Sequence, residues 1–356
     1  MRVGVICPYS LSVPGGVQGQ VLALSASLRA IGIDARVLAP CDGPPPDSSV
    51  TPLGNSLPYA NNGSMAPIAP DPACGLRTIR ALRDEDFDVV HIHEPLVPGP
   101  SLTALVFTDA PAVGTFHRAG ESAILRSIRP LARYAVGRLS LRCAVSEDAL
   151  VTARDVLGGH YELVGNGIDT TLFAKADPWP TEGKTVFFVG RHEPRKGLAV
   201  LIDAMGHLGS DVRLWVGGDG PETARLKART AGDPRIEWLG WVSDLEKARR
   251  LRAADVFCAP SLHGESFGVV LLEAMAASTP VVASDLPGYE NVARPGVEAL
   301  LVPPGDALAV AAALEQALAG GPQIDEMVAR GDCRAAHFSM GRLAERYAAH
   351  YQRLLN

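Results

Sequence analysis

Cysteine is sparse in this sequence and never paired. Cys7, Cys41, Cys74, Cys143, Cys258 and Cys333 lie far apart and form no C-x-x-C motif. That spacing argues against a zinc site and against a disulfide framework, and it suits a reducing compartment. Long apolar runs are missing too. The richest one, "ALAVAAALEQALAG", is interrupted by Glu315, so no segment is expected to cross a bilayer. The N-terminal apolar stretch stops at Pro8, too soon for a secretory core, and reads as a strand. Nor is there an excess of positive charge. A net charge of −6 gives no reason to expect nucleic acid. Repeats and low-complexity tracts are also absent, and these exclusions together describe a cytoplasmic globular protein.

What is present is length and alternation. A chain of 356 residues can build two cores. Short apolar strands alternate with helical patterns almost throughout, which is the mark of parallel-sheet α/β architecture. In the first half the strands read "RVGVICP", "DARVLAP", "VVHIHE", "AVGTFH", "RCAVS" and "YELVGNG"; in the second, "TVFFVG", "VRLWVGG", "IEWLG", "VFCAPS", "PVVASD" and "ALLVPP". Val17, Val21, Leu24 and Leu28 form a helical stripe after the first strand. The polar, proline-bearing "IDTTLFAKADPWPTEGKT" reads as a linker. The expected fold is therefore two doubly wound, Rossmann-like domains, residues 1–168 and 169–340, with the C-terminal helix 341–356 packing back on the first. A ligand is expected in the cleft between them, at the carboxyl ends of their strands.

Three stretches carry the chemistry. In "PYSLSVPGGVQGQV", Gly15 and Gly16 open the first helix, where free amides let an anion approach, although a bare Gly-Gly is as often a turn. In "VGRHEPRKG", Arg191, Arg195 and Lys196 follow a strand, and three cations there suit a diphosphate. In "GESFGVVLLEAMA", Glu265 precedes an apolar helix and Glu273 lies inside it. A buried carboxylate is costly unless paired. If residues 268–276 are helical the two glutamates lie at most ~12 Å apart along the axis. Carboxylates accept hydrogen bonds from vicinal hydroxyls, which both sugars and riboses offer.

Arg191–Lys196 as R-x4-K and Glu265–Glu273 as E-x7-E resemble the retaining, GT-B-fold glycosyltransferases that use nucleotide-diphosphate sugars. With "CPYS…VPGGVQ", "DFDVVHIHEP", "GTFH", "NGID", "GRHEPRKG" and "HGESFGVVLLEAMAA", the chain is most similar to the actinobacterial phosphatidylinositol α-mannosyltransferases, which take mannose from GDP-mannose. The resemblance runs nearly end to end. It implies a catalytic set of His117, Arg191, Lys196 and Glu265, with His117 binding and orienting the sugar. It implies donor contacts from Gly15, Gly16, Arg191, Lys196, Glu265, Ser266, Phe267 and Gly268, a ribose contact from Glu273, and a guanine contact from Val242, Asp244 and Lys247. For the acceptor it implies Tyr9, Gln18, Asn62, Ser64 and Arg118. No cofactor and no metal are implied; the expected partners are the donor, a phospholipid and the inner face of the cell membrane.

The acceptor end departs from that pattern. Pro67 stands where those enzymes have an arginine, and Arg118 and Ser122 stand where they show a threonine and a lysine. Another nucleotide sugar with a different lipid, glycan or polyol acceptor therefore stays open, as does a non-catalytic binding protein. Asp84, Asp86 and Asp88 are spaced like a metal-binding D-x-D, but they precede "VVHIHE" and read as a solvated loop. His91 and His93 share a strand face and, lacking a third ligand, read as core and site lining. Residues 114–145 hold six arginines against one acid, Glu121, a local basic surface suited to anionic phospholipid. Arg77, Arg80 and Arg83, interleaved with Leu76, Ile79 and Leu82, predict a basic amphipathic helix able to lie on a membrane.

Overall fold

The computed structural model describes residues 1–61, 64–118, 120 and 126–356. They form two compact units, residues 1–167 with 340–356, and residues 168–339.

The first unit contains β1 (Arg2–Ile6), β2 (Asp34–Ala39), β3 (Val50–Pro52), β4 (Leu57–Asn61), β5 (Ser64–Ile68), β6 (Val89–His93), β7 (Ala112–Phe116), β8 (Leu141–Ala144) and β9 (Glu162–Leu163). Seven of these make one parallel sheet in the order β3-β2-β1-β6-β7-β8-β9. Strands covered on both faces read as unbroken apolar runs, and all five residues of β6 and of β7 are buried. The strand order reverses between β1 and β6, and the loops after β1, β6 and β7 gather at that point. The pair β4–β5 is a separate antiparallel hairpin that the strand reading did not find. Its register pairs Asn61 with Ser64. Asn62 and Gly63, an Asn-Gly step that hairpins favour, lie outside the described residues, as do Glu121 and Ser122.

Helix Gly16–Ala30 buries Val21, Leu24 and Leu28 but leaves Val17 only half covered. Its apolar stripe meets the C-terminal helix, Met340–Leu355, whose Leu343, Ala344, Tyr347 and Tyr351 share the same core. That C-terminal helix belongs to the first unit, and its two tyrosines reach the sheet. Tyr351 Oη lies 2.7 Å from His91 Nδ1, and Tyr347 Oη lies 2.9 Å from Thr115 Oγ1.

The second unit holds β10 (Lys184–Val189), β11 (Val212–Gly217), β12 (Ile236–Gly240), β13 (Val256–Ala259), β14 (Val281–Ser284) and β15 (Leu300–Val302), all parallel, in the order β12-β11-β10-β13-β14-β15. Order reverses between β10 and β13, which puts the loops carrying Arg191–Lys196 and Pro260–Gly268 side by side. They touch closely. A Cβ on Gly197, whose φ is +67°, would stand 1.8 Å from the Pro260 carbonyl oxygen. Only glycine allows that approach.

The stretch read as a linker is instead part of this unit. Asp169 caps helix Thr170–Lys175 by accepting from the Leu172 amide, Phe173 is buried in the core, and Trp179 lies under the Arg249 and Arg250 guanidiniums. Polar composition hid two apolar anchors. Arg250 is itself buried, held between the Trp179 and Trp215 rings at 4.3 and 4.8 Å and paired with Glu246.

Candidate functional site

In the second unit the site is built on the loops after β10 and β13 and on helix Val269–Ala276. Gly268, at φ +95°, starts that helix, and a Cβ there would press within 2.9 Å of the Tyr289 ring. Glu273 is buried on the helix, as its apolar neighbours require. Its Oε1 accepts from Lys247 Nζ at 2.8 Å. Its Oε2 is buried with no hydrogen-bond partner among the described residues. Burial raises the Glu273 pKa, a push that Lys247 opposes. Lys247 itself also faces Asp244 at 3.2 Å and the Phe173 ring. A buried carboxylate with one oxygen paired and the other idle is an acceptor lacking its donor.

Glu265 is handled differently. Its Oε1 takes Lys196 Nζ at 2.6 Å and Ser261 Oγ at 2.8 Å, with Arg195 at 3.5 Å. Burial works against its charge, yet Lys196, Ser261 and Arg195 outweigh it and hold the carboxyl below its ordinary value. Ser261 also meets the Tyr289 hydroxyl at 3.0 Å. The loop after β10 carries an acid of its own. Glu193, buried and absent from the sequence reading, pairs with both Arg191 at 3.1 Å and Arg195 at 2.9 Å. The signal was present as Arg-x-Glu-x-Arg, an acid centred between two bases.

Other expected donor contacts divide. Val242 and Asp244 flank the start of helix Asp244–Ala253, with Val242 half-buried and Asp244 exposed. Ser266 is half-buried. Phe267 points into the core against Phe338, ring centres 5.6 Å apart, so its side chain is not offered to a ligand. A donor contact at Phe267 would therefore come from its backbone, which stays at the helix entrance. Lys247 was expected at a base, and here its ammonium is engaged by Glu273.

In the first unit His117 follows β7 and is buried, its pKa lowered to about 4 by burial. Its Nε2 lies 2.8 Å from His93 Nδ1, and its backbone amide donates to Glu94 Oε1 at 2.6 Å. Glu94 stands at φ +47°, an uncommon backbone for a glutamate. Its carboxyl is raised by burial, against hydrogen bonds from the His117 and Arg118 amides. Tyr9 lies close enough to feel both Glu94 and Arg118, and burial raises its hydroxyl's pKa. Tyr9, Glu94, His117 and Arg118 thus form one cluster beyond the carboxyl ends of β1, β6 and β7, and Glu94 is the member that the sequence reading did not single out.

Gln18 is buried and its amide donates to the Ser10 and Val13 carbonyls, so it braces the loop before the helix instead of facing outward. The residue expected at the acceptor is thus engaged with the loop from Ser10 to Val13 here. Gly15 caps the helix in extended backbone, and a Cβ on Gly16 would meet nothing within 4 Å. Ser64 opens β5; Asn62 lies outside the described residues. His91 bonds Tyr351 and Thr115 and is a structural member of the sheet. Among the described residues no group of three His, Cys, Asp or Glu side chains is placed to hold a metal, and no helix is long and apolar enough to cross a membrane. Of the arginines read as a membrane surface, Arg77 donates to the Leu53 carbonyl, Arg133 to Val156, Arg138 to Leu105 and Thr108, and Arg142 to Gly158, while Arg80 pairs with Asp84.

Comparison with known proteins gives concordant matches. The family described as Glycosyltransferase Family 4 matches residues 14–172, and the one described as Glycosyl transferases group 1 matches residues 183–320. The chain is 42% identical over 348 residues to the phosphatidyl-myo-inositol mannosyltransferase of Mycobacterium leprae, covering 93% of this chain and 91% of that protein. It is 43% identical to the protein of the same name from Mycolicibacterium smegmatis, over 88% of this chain and 84% of that one. Sucrose-phosphate synthase from Thermosynechococcus elongatus shares the fold, with a TM-score of 0.77 at 20% identity, covering 99% of this chain and 98% of that one.

Proposed function

This chain belongs to the phosphatidyl-myo-inositol mannosyltransferases, glycosyltransferases of the GT-B fold, and on that premise we propose that it moves mannose from GDP-mannose to phosphatidylinositol with retention of configuration. The observation that carries the donor half is the idle, buried Oε2 of Glu273. A ribose hydroxyl would give that oxygen the donor it lacks, in surroundings where an unmet acceptor is costly. Lys196 and Arg191, each already shared with a glutamate, supply positive charge to the diphosphate, and Glu265 receives sugar hydroxyls. Gly16, with open space where a side chain would stand, leaves its helix terminus free for an anion. Front-face departure of the nucleotide needs no protein nucleophile. Charge building on the leaving diphosphate is met by these cations, so the reaction is proposed to proceed without a metal or cofactor.

On the acceptor side, Tyr9, Arg118 and the hairpin around Ser64 are proposed to meet the inositol phosphate, with the enzyme resting peripherally on the anionic inner face of the membrane. A second reading keeps the donor chemistry and changes the acceptor; Pro67, Arg118 and Ser122 favour it, since they alter the charge and size offered there. One experiment separates the two. Radiolabelled GDP-mannose and UDP-glucose are each offered with phosphatidylinositol, inositol phosphate and simple glycans. Label appearing in phosphatidylinositol from GDP-mannose alone supports the first reading, and label in a soluble acceptor supports the second.

A further inference from the structure

We propose that His93 is a positioning residue for His117, donating from Nδ1 to His117 Nε2 and so holding the His117 ring with its own proton on Nδ1, ready to be given as a hydrogen bond to a ligand oxygen. The two nitrogens are 2.8 Å apart, so one donates and the other accepts. If His117 were the donor, His93 would carry its proton on Nε2. That atom is buried and has no hydrogen-bond partner among the described residues. The proton would then be stranded. With His93 donating from Nδ1, the buried Nε2 is only a bare lone pair. Unpaired buried N–H groups are the rarer defect in folded proteins, so the second arrangement is favoured.

Neighbours hold the geometry. His91 stacks on His93 at 4.5 Å and is itself fixed at both ring nitrogens by Tyr351 and Thr115. Ser101 Oγ donates to the His93 carbonyl. A half-turn of the His93 ring would set carbon against His117 Nε2 and lose the bond. Meanwhile Glu94, the next residue along, clamps the His117 backbone amide. Two consecutive residues at the end of β6 therefore fix the ring and the main chain of His117. That histidine then approaches a ligand as a hydrogen-bond donor and not as a base. The consequence for catalysis rests on the reading that His117 meets the transferred sugar; the proton's location does not.

The test begins with the whole protein labelled with nitrogen-15 histidine. Long-range proton–nitrogen spectra report which ring nitrogen carries the proton, and His117 is assigned by its absence in a His117→Ala variant. The proton is expected on Nδ1; finding it on Nε2 overturns the proposal. Turnover gives the second measurement. His93→Asn keeps an amide N–H near the lost Nδ1, whereas His93→Leu fills the space without a donor. The leucine variant is expected to lower kcat on the order of 100-fold with KM for the donor little changed, the scale of a small misplacement at the reacting centre. The asparagine variant is expected to recover most of that loss, and one as slow as the leucine variant overturns the role. Should the leucine variant fail to fold, the wild-type spectrum and the asparagine variant still decide. If no sugar transfer is found, the spectrum alone answers, and only the functional reading has failed.

Discussion

At the scale of single residues, Glu273 and Glu265 show how one side chain serves two purposes. Each is a carboxylate that burial penalises and a lysine meets; at Glu265 the partners outweigh burial, and at Glu273 burial outweighs the lysine. The difference is that Glu273 keeps one oxygen unpaired. Glu273→Gln and Lys196→Ala are each expected to weaken GDP binding by about 1.5–3 kcal/mol, the range for hydrogen bonds to charged groups. Calorimetry that found GDP affinity unchanged in both folded variants would remove the nucleotide from this site. The histidines predict a pH dependence. Burial lowers His117 to about 4, His91 to about 3 and His93 well below its ordinary value, all below their value in the unfolded chain. Unfolded protein then binds more protons than native protein as pH falls below about 6.5, so stability is full above that value and declines toward pH 4. Melting temperatures measured from pH 7 to pH 5 are expected to fall steadily, and a flat profile would contradict the buried, neutral trio.

At the scale of elements, the stretch 168–185 is the instructive case. Its prolines and acids read as a tether, yet Phe173 and Trp179 dock it into the second unit's core. Phe173→Ala is expected to destabilise that unit by about 3–5 kcal/mol, the cost of emptying a large aromatic site. Denaturant unfolding checks this, and a change within about 0.5 kcal/mol, the usual effect of a surface substitution, would restore the linker reading. The same limit of pattern reading applies to the basic helices. Periodicity found helix Pro72–Glu85, but its buried face is Cys74, Thr78 and Ala81, not the leucine stripe, and Leu76 stays exposed. Helix Arg129–Val136 leaves Leu131 and Tyr134 bare, with Ile128 before it.

At the scale of the molecule, the exposed Ile128, Leu131 and Tyr134 are close in sequence to Arg126 and Arg129, and the proposed resting of the enzyme on an anionic membrane would draw on them. Sedimentation is expected to show binding to anionic but not zwitterionic vesicles, weakening as salt rises, with about 1 kcal/mol from each arginine near the surface. Leu131→Ser with Tyr134→Ser is expected to reduce it while leaving GDP affinity alone. Indifference of the wild type to anionic vesicles at low salt would move the soluble acceptor to first place. The sequence by itself determined the alternation of strands and helices, all the strands of both main sheets except the short β3, and the two glutamates. Parallel strands buried on both faces leave unbroken apolar runs, and a charge inside such a run is conspicuous without any coordinates. Tertiary structure alone decided the partners. Lys196 meets Glu265 across 69 residues, Lys247 meets Glu273 across 26, His93 meets His117 across 24 and His91 meets Tyr351 across 260. Crossover connections bring the ends of neighbouring strands together at separations that no local pattern records, so which charge neutralises which, and which histidine orients which, is written only in the packed sheet.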